Sequence, residues 1–229
     1  MSNKALAGLA ACAALAAIAM LNPSGLRAQA PAAAPPPAPI MPPSLPATHV
    51  VDLMTAEGSA AFGAQWKVSD VRLVEVPAIP NTVTQFKTTY NVEPRAGVAN
   101  FDDSKWPAIE AKDLAARRSG GHVAFMWYRA MLTMPAKIGA FETADAVAVL
   151  NVLVDDYAEI WINGQMPRRS GYPSPATIQG LNMPNRLVLS TKVSAGDKFE
   201  VAIFGINGPI SVAPANTVWF REAKVQFYK

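Results

Sequence analysis

Residues 146–164 read AVAVLNVLVDDYAEIWING. Val147, Val149, Asn151 and Leu153 alternate with Ala148, Leu150, Val152 and Val154, and both sets are mostly apolar. A strand with two apolar faces is covered on both sides. After Asp155 and Asp156, the residues Tyr157, Glu159 and Trp161 alternate with Ala158, Ile160 and Ile162. That period, with its β-branched and aromatic content, marks a second strand. Asn163-Gly164 then suits a type I′ turn, because both residues accept positive φ. A strand, an acidic turn and a strand cannot bury these faces alone. They need a facing sheet, so the rest of the chain is read for strands.

Several stretches answer. HVAFMWYRAMLTM (122–134) is a long strand closed by Pro135. Gln65 to Val76 alternates through Trp66, Val68, Val71, Leu73 and Val76. Phe199 to Ile206 places Val201, Ile203 and Gly205 on one face, Arg186 to Thr191 is a shorter strand, and Val218, Phe220, Val225 and Phe227 mark the last one. Val50 to Gly63 fits a short helix or a strand, and Ile109 to Arg118 one short helix. Tyr90 to Pro107 reads as irregular. The expected fold is all-β, an antiparallel jelly-roll β-sandwich with little helix. No internal repeat appears, which argues against a propeller or solenoid. Trp106 and Trp161 read as core residues, since a strand tryptophan is usually buried for its area. Arg129 falls mid-strand and is expected in a buried ion-paired network, because a lone buried charge is costly.

The N-terminal region does not share this patterning. Residues 1–30 carry Lys4, an apolar run from Ala5 to Leu21 and the A-x-A string Ala28-Gln29-Ala30, the anatomy of a secretory signal peptide. Residues 31–47 form a Pro/Ala-rich linker. Half of residues 31–46 are proline and none is charged, which favours extended polyproline II. The β-sandwich domain is expected over 48–229, in the periplasm or secreted, with no membrane span after signal cleavage. The single cysteine, Cys12, follows Leu9-Ala10-Ala11 in a lipobox-like string, which offers lipidation as a minor route. With the leader removed no disulfide can form. Loss of Lys4 and Arg27 lowers the formal charge from +3 to +1, and no Lys/Arg stripe points to nucleic acid.

The chemistry-bearing residues are few. Asp102-Asp103 and Asp155-Asp156 are the acidic pairs; they serve turn chemistry or, on a sharper reading, a structural calcium ion. His49 and His122 are the only histidines. There is no zinc cluster, nucleophile elbow or phosphate loop, so no catalytic residues are assigned. The connection 165–185 holds Arg168, Arg169 and Tyr172, which offer bidentate bonds and a stacking face for a sugar ring. Asn182, Asn185 and Asn207 add amide contacts to this candidate ligand-binding set.

The strings FDDSKWP (101–107), WYRAMLTMP (127–135), DDYAEIWING (155–164) and AGDKFEVAIFGINGP (195–209) occur in an order that resembles the galactose-binding-domain-like jelly roll. The sugar-binding domain of family 2 glycoside hydrolases is of that kind. The likeness spans about residues 64–228. A closer similarity is to the module that precedes regucalcin/gluconolactonase-like propellers in secreted bacterial proteins. The lactonase metal site belongs to the propeller, so the resemblance implies no lactonase activity here, and a gluconolactonase-like assignment would be inherited from fused relatives. It implies a non-catalytic carbohydrate- or glycoconjugate-binding module with no cofactor beyond calcium. The alternative is a protein-interaction or accessory module that docks on a separate periplasmic enzyme.

Overall fold

A computed structural model describes residues 42–78, 88–118, 123–166, 182–208 and 216–229. Residues 1–41, with the expected leader and most of the expected linker, and His122, Arg168, Arg169 and Tyr172 lie outside them. The chain begins with β1 (His49–Asp52), helix α1 (Ala56–Ala61), β2 (Trp66–Asp70), β3 (Arg72–Pro77) and β4 (Thr88–Glu93). Next come β5 (Ala108–Ile109), a 3-10 turn (Ala111–Ala115), β6 (Ala124–Thr133), and the short pair β7 (Lys137–Ile138) and β8 (Phe141–Glu142). The last five are β9 (Val147–Asp155), β10 (Tyr157–Ile162), β11 (Asn185–Ser190), β12 (Lys198–Asn207) and β13 (Trp219–Tyr228).

Two antiparallel sheets face each other, one ordered β1-β13-β9-β11 and the other β10-β12-β6-β2-β5. The fold is the expected all-β jelly-roll sandwich. β9 lies inside its sheet, between β13 and β11. Its inward residues Ala148, Leu150, Val152 and Val154 join the core, while outward Val149 is also fully buried. That double burial is what its two apolar sets called for. The core between the sheets is filled by Phe62, Trp66, Tyr128, Leu132, Leu150, Ile160, Ile203, Phe220 and Phe227.

Three local readings change. β9 and β10 belong to opposite sheets, so Asp155-Asp156 is a corner where the chain crosses between layers, and the Asp155–Asp156 peptide is cis. Gln65 to Val76 is two strands: the chain leaves the five-stranded sheet at Val71, and β3 pairs with β4 in a ribbon outside both sheets. Tyr90 to Glu93 is therefore strand; Tyr90 and Val92 alternate with Asn91 and Glu93, but two apolar positions are too short a run to mark a strand. The helix options resolve into α1, whose N-cap Thr55 accepts the Gly58 N–H at 3.0 Å, and the 3-10 turn. Asn163 and Gly164 take φ of 50° and 77°, and Ile162 and Gln165 exchange both backbone bonds around them, as the tight turn requires.

A second apolar cluster covers the outer face of the five-stranded sheet. Ala96, Trp127, Ala202 and Phe204 are its buried members, with Phe101, Trp106 and Trp161 packed against them. Trp161, beneath the segment 94–107, and Trp106, within it, thus both pack in this outer layer and not between the sheets.

Candidate functional site

Strand ends converge at the sheet-crossing corner. β9 ends at Asp155; across from it stands Trp219, the first residue of β13. β10 begins at Tyr157 opposite Ile206, next to the last residue of β12, Asn207. β11 begins at Asn185 opposite Val152 of β9. Asn207 binds the corner together: its Nδ2 donates to the Asp155 carbonyl at 3.2 Å, to Asp155 Oδ1 at 3.2 Å and to the Thr217 carbonyl at 2.8 Å. The other carboxylate oxygen, Asp155 Oδ2, accepts Arg221 Nη2 at 2.6 Å and Nε at 3.2 Å. Asp156 Oδ2 accepts the Gly208 N–H at 3.1 Å, and its carbonyl accepts the Asn182 N–H at 2.9 Å.

The electrostatics follow from burial. Asp156 is buried, and desolvation pushes its carboxyl above the usual carboxylate range. The Gly208 N–H opposes that shift, and neighbouring Asp155 adds to it. The amide oxygens of Asn182 and Asn185 are buried and accept no hydrogen bond. Asn185 as a whole is only 3% exposed. Buried polar atoms are rarely left this way, and each costs about 1–3 kcal/mol.

The structure brings Asn182, Asn207, Asp155 and Asp156 together and sets Asn185 at the same end of the sandwich. It leaves Asp102 and Asp103 elsewhere, in the segment over the outer sheet face. Asp103 bridges Lys67 Nζ at 2.7 Å and Arg129 Nε at 2.9 Å. Burial alone would raise its carboxyl, but the bonds from Lys67 and Arg129 outweigh that and hold it low. Asp102 accepts the Ser104 N–H at 3.0 Å, a turn role, and the Ser104 bonds keep its carboxyl low. Among the described residues no group of three or more His, Cys, Asp or Glu side chains is placed to hold a metal ion. Arg129 is 2% exposed and, as its mid-strand position suggested, sits in a buried network: it bonds Asp103, the Ala96 carbonyl and, at 2.6 Å, Glu200 Oε1, and lies 5.3 Å from the centroid of Phe101.

Three residues at the corner were missed in the sequence. Arg118 and Val218 pair as an isolated bridge, with backbone bonds of 3.1 and 2.9 Å. That pairing sets Arg117 across from Trp219, its guanidinium 5.0 Å from the ring centroid, while Arg221 lies 5.1 Å from it. The dipeptide Arg117-Arg118 was visible, but its neighbour is a hundred residues away and no local pattern announces it. Elsewhere, Glu159 is half-buried beside Trp161, and burial pushes its carboxyl up.

No protein-family model matches the chain, and no curated protein matches it. Solved structures do. Bacteroides uniformis β-glucuronidase 2 is 16% identical with a TM-score of 0.44, over 78% of this chain and 18% of that one. Faecalibacterium prausnitzii β-glucuronidase is 14% identical with a TM-score of 0.39, over 82% of this chain and 32% of that one. A β-glucuronidase of glycoside hydrolase family 2 is 13% identical with a TM-score of 0.36, over 72% of this chain and 18% of that one. The chain thus spans a fifth to a third of the length of these enzymes. The comparisons give nothing for the lactonase-linked module.

Proposed function

We propose that this chain is an exported, non-catalytic module that binds a carbohydrate or glycoconjugate at the sheet-crossing corner. The observation that carries the reading is the pair of buried, unpartnered amide oxygens on Asn182 and Asn185. They are acceptors in want of a donor, and a saccharide presents hydroxyl donors in number. Loops at one end of a sandwich are where such sites are built. The absence of chemistry is argued from the carboxylates. Glycoside hydrolysis uses two carboxyl groups roughly 5–9 Å apart with a sugar between them; Asp155 and Asp103 are instead tied to cations, and Asp155 and Asp156 are chain neighbours. Export rests on the leader-like residues 1–30.

The test is a thermal-shift screen of the protein against mono- and oligosaccharides, with calcium and EDTA arms. A sugar present at about 100 times its dissociation constant stabilises by about 2.7 kcal/mol. Such a shift, lost in Asn185→Ala, supports the reading; no shift with any sugar overturns it. A calcium shift reversed by EDTA would support a structural ion at one of the acidic pairs. Docking on a separate periplasmic protein is the second reading. It is supported by Leu73 and Tyr90, 52% and 62% exposed on the β3–β4 ribbon, an apolar surface of the kind partners cover.

A further inference from the structure

We propose that the ligand at this corner is an acidic saccharide, with its carboxylate or sulfate seated on Arg117 beside Trp219; this rests on the carbohydrate-binding reading and names its ligand class. The first argument is position. Arg117 faces Trp219 through the Arg118–Val218 bridge, and Trp219 faces Asp155 in the register of β13 with β9. Facing residues in an antiparallel sheet are about 5 Å apart, so the row from Arg117 to Asp155 runs about 10 Å, which more than one sugar ring must bridge. At the far end of the row, Asp155 Oδ1 engages Asn207, and the next residue, Asp156, engages Asn182, which carries an unpartnered oxygen.

The second argument is charge. Two guanidinium groups flank Trp219, on Arg117 and Arg221. Arg221 is neutralised by Asp155. Arg118 lies instead over Tyr128, 5.8 Å from its centroid, bonds the carbonyls of Asp113 and Ala116, and has no ion pair to a carboxylate among the described residues. Arg117 is exposed and has no carboxylate partner among the described residues either. An exposed guanidinium without a counter-ion, with a second guanidinium on the same ring, attracts an anion. The third argument is preorganisation. Stacking on Trp219 orients the planar guanidinium, whose fork matches a carboxylate or sulfate in two bonds. Asn182 and Asn185 then take the hydroxyls of the same chain.

The experiment is calorimetric titration of the full chain with three oligosaccharides of equal length: an oligogalacturonate, a neutral maltooligosaccharide and its sulfated derivative. The expected result is at least tenfold tighter binding of an acidic probe than of the neutral one. The preference should shrink with added salt. Arg117→Gln should abolish it with the melting temperature unchanged, and Arg117→Lys should retain part of it. The tighter of the two acidic probes identifies the anionic group. Equal affinity for acidic and neutral probes overturns this inference and spares the carbohydrate-binding reading. So does a preference that survives Arg117→Gln, or equally tight binding of polyglutamate. Failure to bind any of the three saccharides overturns both.

Discussion

Arg129 carries a full charge inside an apolar layer, and its surroundings show what that takes. Its donors reach Asp103, Glu200 and the Ala96 carbonyl, and the Phe101 ring lies beside it. Removing one partner of a buried pair leaves the others uncompensated and costs about 3–5 kcal/mol. Arg129→Met should lose stability on that scale in urea denaturation, and adding Asp103→Asn and Glu200→Gln should recover part of it. Two of the perturbed carboxyls, Asp103 and Glu159, act in opposite directions with pH. Asp103 is held below the ordinary 3.8, so its contribution is present above 3.8 and is lost as pH falls through its lower folded value. Glu159 is pushed above the ordinary 4.5 by burial, so the folded state binds more protons in the window above 4.5 and stability falls as pH rises through it. Glu159→Gln should therefore raise the melting temperature at pH 7, and the gain should vanish below 4.5. An equal gain at both pH values would rule out the ionisation account.

The segment 94–107 lies across the outer face of the five-stranded sheet, and Trp161 is its anvil. A Cβ on Gly97 would stand 2.5 Å from Trp161 Cδ2 and 2.7 Å from Cε2. Neither the ring, packed on the outer cluster, nor the segment, tethered through Ala96 and Asp103 to Arg129, can yield freely. Gly97→Ala should cost about 1–3 kcal/mol by overpacking and red-shift the tryptophan emission. An unchanged spectrum and stability would show that the segment is loosely held. What was legible at this scale was local. The alternation of β6, β9, β12 and β13 and the Asn163-Gly164 turn follow from neighbouring residues. The sheet that β10 joins does not: its alternation suits a hairpin with β9 as well as a crossing. The crossing is tied by Arg221, Asn207 and Gly208, more than fifty residues further on. For the same reason Asn182, Asn185 and Asn207 could be picked as amides in loops, while the Arg117–Trp219 neighbourhood could not.

At the scale of the molecule, the sheet order makes the last strand indispensable. β13 lies between β1 and β9, so the first strand of the sandwich has no partner until the final residues arrive. The same strand delivers Phe220, Ala223, Val225 and Phe227 to the inter-sheet core. It also delivers Trp219 and Arg221 to the corner. A chain ending at Val218 would leave β1 unpaired, strip one flank from β9 and open the core around Phe62, which stacks on Phe227 at 6.3 Å. Burying an aromatic or branched side chain is worth roughly 1.5–3 kcal/mol, and losing several at once is comparable with the 5–15 kcal/mol by which domains are usually stable. Removal of residues 219–229 should therefore abolish the cooperative thermal transition and leave a species that binds a hydrophobic dye, whereas removal of residues 1–30 should leave the transition intact. A cooperative transition in the shortened chain would mean that the sandwich closes without its central strand pair and that the corner does not depend on both halves of the chain.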